Sequence, residues 1–383
     1  MDAVCLYPIR TMTGSWKLCR SKTGTLLIAL LVGVCQGRSQ NVENSRASVF
    51  DVALCQAKLL STSDPLLLEA KAGLPSCAGM PFAPPPAGRM IIPKRYLSGS
   101  SGPINPKEAP ATRPYEAFEQ RITAGAAQFL ATGSHRESAS ALDQIDAWAR
   151  AGALLDYSRD ESQQAWFQVE WTLCSAAITD SVLVNDSTLD PAKQQEIASW
   201  LVAVCRKDLS FERVGDAGNN HLYWRALAAM AVGVTASDSD LYRHAISVYK
   251  KAIDEVDANG ALPKEMARHE YAIHYQGFAL QPLVTIAQFA SRQGIDLYSY
   301  KNAQGRSLRD AIVFFGRAVD DPVLVKPYTA DPQSTHFSPG DIAPLAFWRA
   351  KFGTGGLPPS IAKALLNPLA TSRIGYTTIM AAQ

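Results

Sequence analysis

Two short stretches hold residues able to do chemistry. Asn219-Asn220-His221 opens an otherwise apolar run, HLYWRALAAMAVGV, from His221 to Val234. Two amides and an imidazole sit poorly in a core unless each finds a partner. Asn is a favoured helix N-cap, and Asn219 alone satisfies that need, so Asn220 and His221 are left to explain. Tyr223 and Trp224 follow at once, rings of the kind that stack on sugar faces. The second stretch holds Lys264, Glu265, Arg268, His269, Tyr271, His274 and Tyr275. Arg268 and Tyr275 are seven positions apart, so a continuous helix would project both from one side. A guanidinium and a phenol beside an Asn/His cluster suit an anionic substrate, although spacing alone favours an ordinary solvated face.

The segments NNHLYW, LPKEMARHEYAIHYQGFALQPL and IDAWARAGALL shift that balance, because they resemble the alginate lyases of polysaccharide lyase family five. The similarity runs from about Lys94 to Gly353, and the order and spacing of the Asn-His, Arg and Tyr positions agree with that family. The resemblance implies an all-α fold, an incomplete α/α toroid with a deep cleft and a mobile lid. It also implies an exported bacterial enzyme that cleaves polymannuronate by β-elimination without a metal or other cofactor. Carried over by position, Asn220 and His221 fall on the residues that neutralise the substrate carboxylate. Arg268 falls on the binding arginine and Tyr275 on the catalytic tyrosine. Arg95-Tyr96 matches the basic residue and tyrosine of the lid, with Lys94 an alternative basic match, and Trp148 falls on a cleft-lining tryptophan. Asn219, Tyr223 and Trp224 join these as expected substrate contacts. This chain departs from the family at Leu222, where a serine is usual, at Gln276-Gly277-Phe278, and in a lid richer in Ser, Gly and Pro. The departures leave the catalytic set intact and put the choice of uronate in question.

The chemistry asks for these residue types. β-Elimination removes the C5 proton of a uronide, which is only weakly acidic because its neighbour is a carboxylate. Amide, imidazole and guanidinium groups that cancel that charge bring the enolate-like intermediate within reach. Tyr275 would take the C5 proton and hand one to the departing O4. In mannuronate and glucuronate these sites share one side of the ring, so one residue can serve both. A phenol with an ordinary pKa of ~10 is a poor base, so Arg268 or a protonated His221 must lower it. Whether His221 neutralises charge or takes the proton stays open. The substrate is then mannuronan, or alternatively glucuronan or hyaluronan. A second class, a non-catalytic protein binding anionic glycan, is separated from a lyase by the ultraviolet absorbance of the new double bond. Of the remaining histidines, His244 is expected on a solvated face, His269 and His274 at the surface or behind the site, and His135 and His336 without partners.

The elements that must position these residues read as helices. Asp190-Pro191 is a cap followed by proline at the first helical position, and Ile197, Trp200, Leu201 and Val204 form one stripe. Ser239 starts another helix, ended by Asn259-Gly260, and a third runs from about Tyr271 to Gln293. Residues 142–155, 162–182, 219–234 and 308–319 give similar patterns, and no period-2 strands appear. Met80–Lys107, with Pro84-Pro85-Pro86 and a Ser/Gly/Pro run near Gly99, cannot be helical throughout; residues 89–108 are expected to form the lid.

Composition bounds the rest. The 383 residues are 47% hydrophobic and 19% charged, enough for one large core. With Lys+Arg 37 against Asp+Glu 35 there is no global basic surface for nucleic acid. Thr25–Val34 is apolar for about half the ~20 residues that a membrane span needs, and Lys17, Arg20 and Lys22 precede it. Residues 1–37 are therefore read as a signal peptide and 38–383 as a single lyase domain, periplasmic or secreted, with no membrane association after cleavage. A monomer is expected, with an anionic polysaccharide such as alginate as its partner. Cys55, Cys77, Cys174 and Cys205 remain after cleavage and are expected to form two disulfides. Proximity favours Cys55–Cys77 and Cys174–Cys205, and no cysteine or histidine spacing suggests zinc.

Overall fold

Helix starts follow local signals in the computed structural model, which describes residues 41–383 except 100, 214, 215 and 217. The leader and Cys5, Cys19 and Cys35 lie outside the described residues. The helices are α1 (Val52–Ser61), α2 (Pro65–Ala72), α3 (Glu108–Thr132), α4 (His135–Arg150), α5 (Gln163–Leu183), α6 (Pro191–Ser210) and α7 (Asn220–Thr235). They continue with α8 (Ser239–Asp254), α9 (Pro263–Met266), α10 (Ala272–Arg292), α11 (Leu308–Asp320), α12 (Leu345–Phe352), α13 (Pro359–Ala364) and α14 (Thr377–Met380). Asp190 caps α6 through the Ala192 amide, with Pro191 in its first turn, as the sequence predicts. Asn219 caps α7 through the His221 amide.

The helices form two layers. Inner helices α3, α5, α7 and α10 pack on one another in that order, and each carries an outer partner, α4, α6, α8 or α11. Burial explains the division: α5, α7 and α10 are buried nearly all round, whereas α8 and α11 bury one stripe. Small residues set the crossings. A Cβ at Gly233 would lie 2.7 Å from the Tyr242 amide nitrogen, and one at Gly277 would lie 2.7 Å from the Phe315 ring. Gly277, one of the sequence departures, is therefore the notch that seats α11 on α10. Beside it Gln276 is buried, accepting from the Leu262 amide and donating to Gly260, which ties the preceding loop to α10. The C-terminal helices α12 and α14 bridge α10 to α3. The fold is an α/α toroid, and no helix among the described residues is long and apolar enough to cross a membrane.

Two expectations change. A two-stranded antiparallel hairpin occurs where none was predicted: β1 (Tyr96–Ser98) pairs with β2 (Ser101–Ile104). Strands of this length, built from Ser, Gly and Pro, leave no alternating pattern to read. The chain before the hairpin is strapped down rather than loose. Ala83 exchanges hydrogen bonds with Gln144, Met90 donates to Asp156, and Ile92 exchanges bonds with Ser162. The stretch 89–108 expected to form a lid thus holds a tied-down segment followed by the hairpin at 96–104.

The disulfide expectation is also corrected, because all four cysteines are free and buried. Cys55 sits against the Ile379 carbonyl, Cys77 against Ser140 and Cys174 against the Trp224 carbonyl. Each thiol fills a helix seam as a small apolar side chain. Burial pushes the Cys55 thiol up to about 12 and raises the other three.

Candidate active site

The first residue of α7 after its opening amide is His221, and its ring is fixed on three sides. Its Nδ1 lies 2.6 Å from a carboxylate oxygen of Glu170 on α5. Phe167 stacks on it at 3.5 Å between centroids and 14° between planes, and Trp171 lies 6.0 Å away. Burial, then the Arg225 and Arg268 charges, hold the imidazole well below its usual pKa, so it is neutral. Asn220 is fully buried, and its backbone N–H and side-chain amide both donate to Glu265, at 2.5 and 2.9 Å. Burial pushes Glu265 up to about 7 against the pull of these two bonds.

Arg268 and Tyr275 do not share a continuous helix. The chain leaves α9 at Met266, makes a 3-10 turn at His269–Tyr271 and re-enters helix at Ala272. His269 takes a positive φ of 52°, a left-handed conformation rare for a residue with a side chain. The break folds Arg268 back, so its guanidinium lies 3.6 Å from the centre of the Tyr275 ring. The two residues meet as the spacing suggests, by a different route.

The lid completes the group. The Tyr96 hydroxyl is 3.0 Å from that of Tyr275, and both residues are buried. Burial raises the Tyr275 pKa, Arg268 opposes it, and the bond to Tyr96 adds to the rise. Arg268 and Arg95 do pull this pKa down, as expected, but burial outweighs them and the net shift is upward. Arg95 pairs with Glu108 at 3.3 Å, and Gly102 of the hairpin donates to Glu270 at 2.9 Å. Lys94, Arg95, Tyr96, Gly99, Gln163, Gln164, Phe167, Asn219, His221 and Arg268 line one cleft of about 270 Å³. Three of these residues are cationic and none is acidic.

Three aromatic residues expected to touch substrate lie elsewhere. Trp148 is fully buried, stacked on Phe118 at 3.8 Å and bonded to the Ala83 carbonyl, so it holds the strap before the lid. Tyr223 is buried with its hydroxyl on the Gly218 carbonyl, and Trp224 is buried against Phe278. Positions 223 and 224 face the packed sides of an inner helix, where large rings fill volume. His244 is not solvated: its Nε2 is buried, and Glu212 and Arg225 are its charged neighbours. His135 pairs with Asp186. His269 is exposed and pairs with Asp331, while His274 stands edge-on to Tyr275 at 5.2 Å. Sequence reasoning named Glu265 without a role and missed Glu170, Trp171 and Arg373, whose guanidinium lies 4.7 Å from the Trp171 ring and 5.3 Å from the Phe278 ring. A charged residue inside an apolar helix, as Glu170 and Asp180 are in α5, was the available signal.

The chain is similar to known proteins in sequence and fold. Residues 77–324 match the family model described as alginate lyase. A polysaccharide lyase of Stenotrophomonas maltophilia is 27% identical over 76% of this chain and 87% of its own length. An alginate lyase of Pseudomonas aeruginosa is 28% identical over 69% of this chain and 74% of its own. Among solved structures, alginate lyase A1-III of Sphingomonas species A1 is 36% identical, with a TM-score of 0.80 over 89% of this chain and 97% of that one. Alginate lyase A1-III complexed with a tetrasaccharide reaches 0.82 over 89% and 96%. Helical layers, lid, cationic cleft and sequence thus lead to one assignment: the chain is a lyase and belongs to the alginate lyase family.

Proposed function

We propose that this enzyme cleaves 1,4-linked uronate polymers, mannuronan first, by β-elimination that needs no metal, leaving 4,5-unsaturated ends. The observation that carries this reading is the cleft lined by Lys94, Arg95, Tyr96 and Arg268 with no acidic residue, where the Tyr96 hydroxyl lies 3.0 Å from that of Tyr275. Arg268, Lys94 and Arg95 bind and neutralise the carboxylate, and Tyr275 moves the proton between C5 and O4. The tetrasaccharide complex of the related alginate lyase supports an anionic glycan as ligand. Among the described residues, no group of three or more His, Cys, Asp or Glu is placed to hold a metal ion. The basic-then-apolar leader supports export, and the protein is taken to act as a monomer.

The test is a panel of polymannuronate, polyguluronate, glucuronan and hyaluronan, each followed by ultraviolet absorbance with and without chelator. Rising absorbance on polymannuronate, unchanged by chelator, is expected. Activity lost in chelator and restored by one divalent ion would refute metal independence, and a stronger response on hyaluronan would overturn the choice of uronate. N-terminal sequencing of periplasmic protein checks the leader, with cleavage expected near Gly37.

A further inference from the structure

Glu170 is fully buried in the middle of α5, an inner helix with no other acidic residue in its first two turns. A carboxylate there costs several kcal/mol of desolvation unless its oxygens are matched. Both are matched from α7 by residues one helical turn apart. His221 Nδ1 meets one oxygen at 2.6 Å, and Arg225 Nη1 donates to the other at 2.9 Å. Arg225 is itself held, because its Nε donates to Glu212 at 2.9 Å and its guanidinium lies 4.0 Å from the Trp166 ring. The guanidinium stays charged at any working pH and gives one N–H to the carboxylate. Burial pushes the Glu170 carboxyl well up and the Arg225 charge pulls it back; with Arg225 donating to the other oxygen, the proton in the 2.6 Å contact is assigned to the imidazole. The nitrogen that binds a fixed partner decides what the other nitrogen can offer. Since His221 lines the cleft, Nε2 is the nitrogen left for substrate.

We propose that Glu170, backed by Arg225, is a positioning residue that fixes His221 as the Nδ1–H tautomer, so that Nε2 meets the substrate as an acceptor and not as an N–H donor. An acceptor cannot stabilise a uronate carboxylate, which carries no proton to share. Charge neutralisation then rests on Arg268, Lys94 and Arg95, and Nε2 is reserved for a sugar hydroxyl or the C5–H. The inference rests on the lyase reading for its consequence but not for its geometry.

Two-bond ¹H–¹⁵N spectra of the ligand-free, ¹⁵N-labelled mature protein read the tautomer directly, with the His221 signals assigned by their loss in His221→Gln. The wild type is expected to show Nδ1–H. In Glu170→Gln the amide oxygen turns to Arg225 and the amide N–H to Nδ1, so the pattern inverts to Nε2–H. Its kcat on polymannuronate should fall about 10²-fold or more with KM changed far less. Glu170→Asp keeps the charge and should keep the Nδ1–H pattern with partial activity. A wild-type spectrum with Nε2–H or a doubly protonated ring overturns the proposal, and it does so even if Glu170→Gln fails to fold. A folded Glu170→Gln with unchanged tautomer and near-normal kcat overturns it as well. An Nδ1–H ring in a protein inert on every uronate polymer would instead sink the substrate reading and leave the tautomer assignment standing.

Discussion

Tyr275 is the residue we propose moves the proton, and its surroundings make two measurable demands. Tyr275→Phe removes one oxygen and little volume, so the melting temperature should stay close to wild type. The rate of forming unsaturated ends should fall by at least ~10². A variant that still makes those ends at near the wild-type rate would move the catalyst elsewhere in the cleft. The second demand concerns pH. Burial raises the Tyr275 pKa while Arg268 restrains it, so the phenolate fraction is small at neutral pH and grows with each step upward. The apparent kcat/KM is expected to climb across the alkaline range. Arg268→Gln removes the restraining charge and should shift that climb to still higher pH, besides lowering the rate. A pH–rate profile that is flat through the alkaline range would argue against a tyrosine base.

The lid is the element most open to test. Its hairpin carries exposed Leu97 and Ile104 and rests on the rest of the fold through a few polar contacts and the Tyr96 ring. Arg95→Ala combined with Tyr96→Phe should therefore weaken turnover on polymer while thermal stability stays near wild type. Unfolding of the double variant would mark the loop as structural. This scale also shows what a reader of the sequence can and cannot see. Helix bodies and starts were legible, because caps such as Asp190 and Asn219 act locally and the apolar stripes follow the helical period. The break at Arg268 was not. Ala267, Arg268 and His269 are compatible with helix, and no Gly or Pro marks the turn. Tertiary bonds make it: Gln333 donates to the His269 carbonyl, and Asp331 pairs with the His269 ring. The meeting of Arg268 with Tyr275, and the place of His221 in the cleft, were legible from their neighbours in sequence. The burial of Trp148, Tyr223 and Trp224 was not, since a large ring beside a polar motif looks the same whether it fills a seam or lines a cleft.

Across the whole molecule, the core holds groups whose state can be counted. Native protein should resist thiol reagents, and denatured mature protein should release four thiols, matching its four buried free cysteines. Two disulfides found by non-reducing mass spectrometry would contradict the packing described above. The core also carries Asp180 on α5, buried, with one side-chain oxygen unpartnered among the described residues and its pKa raised by burial to about 7. Because the folded state holds this proton more tightly than the unfolded chain, the stability it gives is full below the ordinary carboxylate range. That stability is lost as pH rises through about 7. Asp180→Asn removes the penalty, so its gain in melting temperature should be larger at about pH 8 than at about pH 5, reflecting on the order of a few kcal/mol. Equal shifts at both pH values would mean that Asp180 stays ionised in the fold.

The break before α10 has a mechanical consequence. A segment outside the helical hydrogen-bond ladder must be braced by something else, and part of the brace here is the hairpin itself. Gly102 donates to Glu270, the Tyr271 hydroxyl reaches the Gly102 carbonyl, and the Tyr96 and Tyr271 rings meet at 5.5 Å. The hairpin therefore works as a splint for the turn that carries Arg268, and on the proposed lid reading lifting it should loosen the guanidinium. Short oligosaccharides that leave the hairpin unclamped would meet a slack arginine, so turnover per bond should rise with chain length until the hairpin is held shut.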